Sequence, residues 1–213
     1  MPEDSRPPHE LLCVGSHASV GDSPNFTPIR KMKLARLLTA ACATVALVGT
    51  TFACIEAMDL NKMVSKTDMA VRGTITEVRT ERSFMDNSDW PRIFTYLTID
   101  GEDLYTGEPT RVEMAFMGGT HEGVTEVCST MPAASDYRVG NKVVAFSGKV
   151  DGWGKVERVL WAGYGGIYRE VDSRKGAVVL GRGKDFAIES NITVQELKVN
   201  VAKALEAKSE AKR

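Results

Sequence analysis

The chain has few of the residues from which catalytic and metal sites are usually built. Of its 213 residues only 3 are histidine and 4 are cysteine. No C-x-x-C pair occurs, which removes the sequence basis for a zinc ribbon or a thioredoxin-like dithiol. H-E-x-x-H, Gly-x-Ser-x-Gly, G-x-G-x-x-G and a phosphate loop ending in Gly-Lys are likewise missing, so no metalloprotease, nucleophile-elbow or nucleotide fingerprint is present. Charge of one sign is not in excess: 27 Lys+Arg stand against 28 Asp+Glu. A protein built mainly to hold nucleic acid needs a basic surface, and this composition lacks one. With 43% hydrophobic residues the chain is not disordered throughout.

What is present is unevenly distributed. Five of the 8 prolines (Pro2, Pro7, Pro8, Pro24, Pro28) fall in the first 28 residues, and 1–31 reads as a disordered or mis-annotated upstream extension. A basic patch, Arg30 to Arg36, then precedes an uncharged run from Leu37 to Ala53. Positive residues, an apolar stretch and a small residue in that order are the layout of a secretory signal peptide, assigned here to 32–53 with Met32 as the start of translation. The uncharged run of 17 residues is shorter than the roughly 20 apolar residues of a membrane span. Association with a membrane is therefore expected only if the signal stays uncleaved or Cys54 is lipidated. Cleavage after Ala53 leaves Cys54 first, as in bacterial lipoproteins, although Thr51 stands where that motif favours Leu; cleavage after Ala57 discards Cys54.

If cleavage leaves Cys54 in place, it and Cys128 are the two cysteines of the mature chain, and an oxidising compartment permits a single disulfide between them. The competing reading of Cys128 is a small apolar residue on a strand.

Residues 54–213 carry 22 basic and 24 acidic side chains, a net charge of −2. A short helix over 59–66 is expected, with Leu60, Met63 and Val64 on one face. Strands follow. Met69, Val71, Gly73 and Ile75 alternate with Ala70, Arg72, Thr74 and Thr76, the period of a half-buried strand. Residues 80–91 read as a polar loop. Ile93–Ile99 is apolar on both faces and therefore central, Arg111–Phe116 alternates strictly, and Gly118-Gly119 breaks it. Val124–Cys128, Lys142–Phe146, Val156–Trp161, Ile167–Val171 and Ala177–Leu180 complete the set. Short strands at close spacing predict a mainly β fold, a small antiparallel barrel or sandwich within which an OB-like barrel falls. The β domain is assigned to 54–189 and a C-terminal helix with a charged tail to 190–213. That helix begins at a Thr193/Glu196 capping box, uses Val194, Leu197, Val201, Ala204 and Leu205 to dock, and frays from Glu206.

Leu60–Val64 leading into Val71-Arg72-Gly73-Thr74-Ile75, then Ile93-Phe94-Thr95-Tyr96-Leu97-Thr98, Gly118-Gly119 and Tyr137 to Phe146 form a series over about residues 60–172. The series is similar to a family of exported, uncharacterised bacterial proteins with V-x-G-x-V, I-x-T-Y-V-T and G-E-x-V-V-x-F strands. Asn141 replaces the acidic residue of that last motif. The resemblance implies export and an all-β core, and brings no catalytic residue with it.

Trp153, Trp161, Tyr164 and Tyr168 lie within 16 residues. Exposed on an exported domain, such rings stack on sugars or capture a peptide. In the competing reading Trp161 and Tyr168 fill the core and Trp153 covers a hairpin tip. His121, the one histidine after the signal, has Glu122 and Glu126 nearby but lacks metal-site spacing, and Arg174, Lys175, Arg182 and Lys184 form only a modest basic patch. The expectation is a non-enzymatic exported module without cofactor, metal or nucleic acid, binding an envelope or extracellular protein or glycan. The alternative is a secreted hydrolase using His121, Glu122 and Asp136, with a nucleic-acid-binding barrel third. Mass spectrometry of the exported form is expected to find Cys54 or Met58 as its first residue; recovery of chain that begins at Met1 overturns the signal assignment.

Overall fold

The computed structural model describes residues 58–86, 88–174 and 176–211. The leader, the signal segment and Cys54, with its expected lipid or disulfide, lie outside them. The described chain opens on α1 (Leu60–Lys66), capped by Asp59, whose carboxylate accepts from the Lys62 N–H at 2.7 Å. Strands β1 (Met69–Ser83), β2 (Arg92–Asp103) and β3 (Pro109–Met117) form a meander, and a small hairpin of β4 (Gly119–His121) and β5 (Val124–Glu126) follows. Next come β6 (Lys142–Lys149), β7 (Arg158–Leu160), a single 3₁₀ turn over Gly163–Gly166, β8 (Ile167–Ser173), β9 (Gly176–Val179), β10 (Ile192–Thr193) and α2 (Val194–Glu210).

Strand β1 pairs with β2 along one edge and with β6 along the other, β6 pairs with β7, and β7 meets β3 in parallel. The circuit β1-β2-β3-β7-β6-β1 closes a five-stranded barrel, the strand order of an OB-type Greek-key barrel. Where β7 ends, β8 takes over the same edge of β6 and carries β9 and β10 away from the barrel.

Barrel closure demands close approach where β1 serves two neighbours. Gly73 lies opposite Gly101. A Cβ on Gly73 would lie 2.2 Å from the Asp100 carbonyl oxygen, and one on Gly101 would lie 2.0 Å from that of Arg72. Only glycine fits on either side of this crossing.

A second irregularity follows three residues later, at Thr76. Ile75 pairs with Ile99 and Glu77 with Thr98, which leaves Thr76 as the extra residue of a bulge. The bulge reverses the in-out alternation. Val71 and Ile75 face the barrel interior before it, and Val78 does so after it. Sequence alternation is therefore lost at Thr76, and the loop expected over 80–91 proves too long, because β1 continues through Ser83. Similarly, Cys128 lies beyond β5, half-buried in a turn closed by the Met131 N–H on its carbonyl at 3.0 Å, and not on a strand as expected.

Strand β2 is buried from Ile93 to Ile99 on both faces, as its apolar run implied. Leu97 and Ile99 join Val112, Met114, Phe116, Val143 and Leu160 inside the barrel, while Phe94 and Tyr96 face out into a second cluster. A third cluster lies between β6 and the helices, where Met63, Val64, Phe146, Tyr168, Leu197 and Val201 pack. Each buried side chain of this size contributes roughly 1.5–3 kcal/mol.

The capping box of α2 is present in both directions, with Thr193 Oγ1 accepting from the Glu196 N–H and the Glu196 carboxylate accepting from the Thr193 N–H. The helix continues to Glu210 and does not fray from Glu206. Lys208 holds the last turn by donating to the carbonyls of Val64 and Thr67 at 2.8 and 2.7 Å, satisfying the C-terminal end of α1. Gly73→Ala and Gly101→Ala are each expected to lower stability by about 3 kcal/mol, since backbone must move on both strands. Denaturant unfolding checks this, with Gly107→Ala as the comparison of smaller effect, since a Cβ there meets nothing and only its φ of +77° opposes it, by about 1 kcal/mol.

Candidate functional site

Two loops meet over the outer face of β2 and β3. The loop after β1 (84–91) and the loop between β6 and β7 (150–157) are joined by a hydrogen bond from the Asp86 N–H to the Gly152 carbonyl, 2.7 Å. Gly154 makes the junction tight: its φ is +62°, and a Cβ there would lie 2.3 Å from the Phe84 carbonyl oxygen and 2.5 Å from Ser83 Oγ. Beneath the loops, the Trp153 ring rests on Phe94 at 5.7 Å, and Met85, Val156, Trp161 and Met117 fill the space around it.

Two rings of the first loop are displayed to solvent. Trp90 is 78% exposed and Phe84 58%. Ser88 Oγ donates to the Trp90 carbonyl at 2.9 Å, fixing the backbone that carries the indole.

Beside the loops the outer face turns polar. The bulge at Thr76 places Arg79 opposite Tyr96 on the outside of the barrel. Its guanidinium lies 3.9 Å above the Tyr96 ring and is held by Glu113, at 2.9 and 3.0 Å, and by Glu81 at 2.9 Å. Lys155, from the second loop, also donates to Glu81. Lys155 and then Arg79 hold the Glu81 carboxyl below the usual carboxylate range. Burial pushes the Tyr96 hydroxyl above its ordinary value. That hydroxyl is buried and has no hydrogen-bond partner among the described residues. A buried unpaired hydroxyl costs about 1–3 kcal/mol. Tyr96 lines a cleft of about 340 Å³ together with Arg111, Glu113, Lys155, Glu157 and Arg158.

The four aromatics singled out from sequence do not form one surface. Trp153 belongs to the floor just described, and Trp161 packs between that floor and the helix-side core. Tyr164 pairs with Phe186 at 5.7 Å on the 3₁₀ turn. Tyr168 is 0% exposed, packs against Phe146 and donates to the Gly165 carbonyl at 2.7 Å, so it has no face to offer a ligand. The tight spacing misleads because alternate residues of a strand, and the turn before it, point to different layers.

His121 and Glu122 sit at the tip of the β4–β5 hairpin, with Glu122 at φ +48°. Glu126 is turned away to Arg92 and to the Ile93 N–H at 2.9 Å, and Asp136 is paired with Arg182 at 2.7 Å. Among the described residues no group of three or more His, Cys, Asp or Glu is placed to hold a metal. No helix among them is long and apolar enough to cross a membrane.

Phe84, Trp90, Arg79 and Tyr96 were not selected from sequence. One signal was available. Trp90 follows the polar run Asp86-Asn87-Ser88-Asp89 and precedes Pro91, the context of a displayed ring. Comparison with protein-family models, curated proteins and solved structures finds no match. Gly154→Ala is expected to cost about 1–3 kcal/mol from strained backbone and clash, and to red-shift the tryptophan fluorescence as the loops separate over Trp153. An unchanged melting curve and spectrum would show that the junction does not hold the loops.

Proposed function

We propose that this chain is an exported, non-enzymatic binding module of the envelope or extracellular space. It recognises another macromolecule through the loops at 84–91 and 150–157. The observation that carries the reading is the pair of exposed rings, Trp90 and Phe84, on a loop anchored to its neighbour over the outer β2–β3 face. Most surface side chains are polar, and large rings held in water on a fixed backbone are the usual anchors of recognition. In OB-type barrels the same face and loops bind oligosaccharides and oligonucleotides, an analogy of fold alone. The −2 charge of residues 54–213 favours a protein or glycan over a polyanion.

Export rests on the basic patch, apolar run and small residues of 32–53, and agrees with the resemblance to exported bacterial proteins. The residues of the alternative hydrolase are engaged otherwise: Asp136 serves Arg182, and His121 stands at a hairpin tip. Both displayed rings are exposed, so Trp90→Ala and Phe84→Ala are expected to change stability by no more than about 0.5 kcal/mol. Each is expected to weaken capture of the cognate envelope protein or glycan at least tenfold. Arrays probed with wild type and both variants check this, and equal binding by all three overturns the assignment of the face.

A further inference from the structure

We propose that the cleft beside the paired loops, lined by Tyr96, receives a neutral sugar unit of a glycan, with the Tyr96 hydroxyl, enclosed in the unliganded chain, donating to an oxygen of that sugar once the lining side chains part to admit it. This rests on the binding reading above and names its ligand class. Tyr96 is 3% exposed, its hydroxyl is buried, and no described group accepts from it. A donor retained there without an internal acceptor is suited to an acceptor that arrives from outside.

The rest of the lining selects the class. Arg111, Lys155 and Arg158 face Asp100, Glu81 and Asp68, and Arg79, above the Tyr96 ring, bridges Glu81 and Glu113. The cations are thus already matched by carboxylates. An anionic ligand would have to compete with those carboxylates, and a cationic ligand with the guanidinium and ammonium groups. A polyhydroxylated neutral ring needs neither, because it donates to carboxylates and accepts from cations at once. The Glu157 carboxylate is free to accept, since no ion pair engages it among the described residues. The cleft, about 340 Å³, accommodates one sugar residue. The chain of such a glycan would continue toward Phe84 and Trp90, whose exposed rings supply stacking surfaces.

The test uses the secreted protein and four tetrasaccharides: maltotetraose, cellotetraose, chitotetraose and the anionic tetragalacturonate. Calorimetric titration is expected to show binding of at least one neutral tetramer and weaker binding of tetragalacturonate. Tyr96→Phe is expected to weaken binding tenfold or more, with a melting temperature equal to or above wild type because an unpaired buried hydroxyl is removed. Glu157→Gln is expected to weaken binding while folding normally. If Tyr96→Phe binds as wild type while Trp90→Ala loses binding, the cleft assignment fails and the loop reading stands. Preference for tetragalacturonate overturns the neutral-sugar assignment. Failure of every tetramer, with an envelope protein captured through Trp90, likewise overturns the glycan and leaves the binding module. Failure of every tetramer with no capture by either ring overturns both.

Discussion

Strand β1 has both of its edges occupied between Val71 and Thr74, by β2 on one side and β6 on the other. A sheet closes into a barrel only if strands coil enough to satisfy backbone groups all the way round, and here β1 and β2 leave no room for a Cβ where Gly73 faces Gly101. At the same residues β1 also pairs with β6 along its other edge. The ions around the crossing reinforce it. Arg72 forms a two-point pair with Glu170 on β8 and reaches Glu102 on β2, and Lys198 of α2 joins Glu102. Glu170 in the first place holds the Arg72 guanidinium charge well above its ordinary range, against the opposing effect of burial. A partly buried pair of this kind ties three strands and a helix to one guanidinium, and its benefit lies in fixing their relative positions as much as in net stability.

The bulge at Thr76 then determines what the barrel shows outside. Were the same sequence to pair residue for residue with no bulge, Val78 would face out and Arg79 would be driven into the apolar interior, where an unpaired charge is prohibitive. With it, Arg79 covers Tyr96 and organises Glu81, Glu113 and, through Glu81, Lys155. The polar cleft and the aromatic loops are consequently neighbours on one face for a single backbone reason. Another side of the barrel is closed by α1 and α2, whose apolar faces bury Phe146 and Tyr168. That leaves the β2–β3 side as the face on which loops and displayed rings gather.

Local chemistry made several elements readable in advance. Alternation marks the first half of β1 and β3 from Arg111 to Phe116, the doubly apolar run marks β2 as central, and Thr193 with Glu196 marks the start of α2. The second half of β1 was not readable, since after the bulge its apolar residue changes parity and its other positions are polar. The end of α2 was also missed. Nothing in Glu206–Arg213 indicates that Lys208 caps another helix more than a hundred residues away in the chain. The site was legible only in part. Trp153 lies in its floor, but Tyr164 and Tyr168 neighbour it by sequence distance alone, and Trp90 stands alone in a polar loop.

The mainly β class, the helix caps and the central strand are legible in the amino-acid order, because periodicity, turn residues and capping act within a few residues. Tertiary structure alone decided that β7 closes on β3, that the loops at 84–91 and 150–157 interlock, and that Tyr96 ends beneath Arg79 with its hydroxyl unpaired. Those outcomes depend on strand register and a one-residue bulge. A register shift of a single residue exchanges inside for outside, and only the fit of both faces at once selects among the registers.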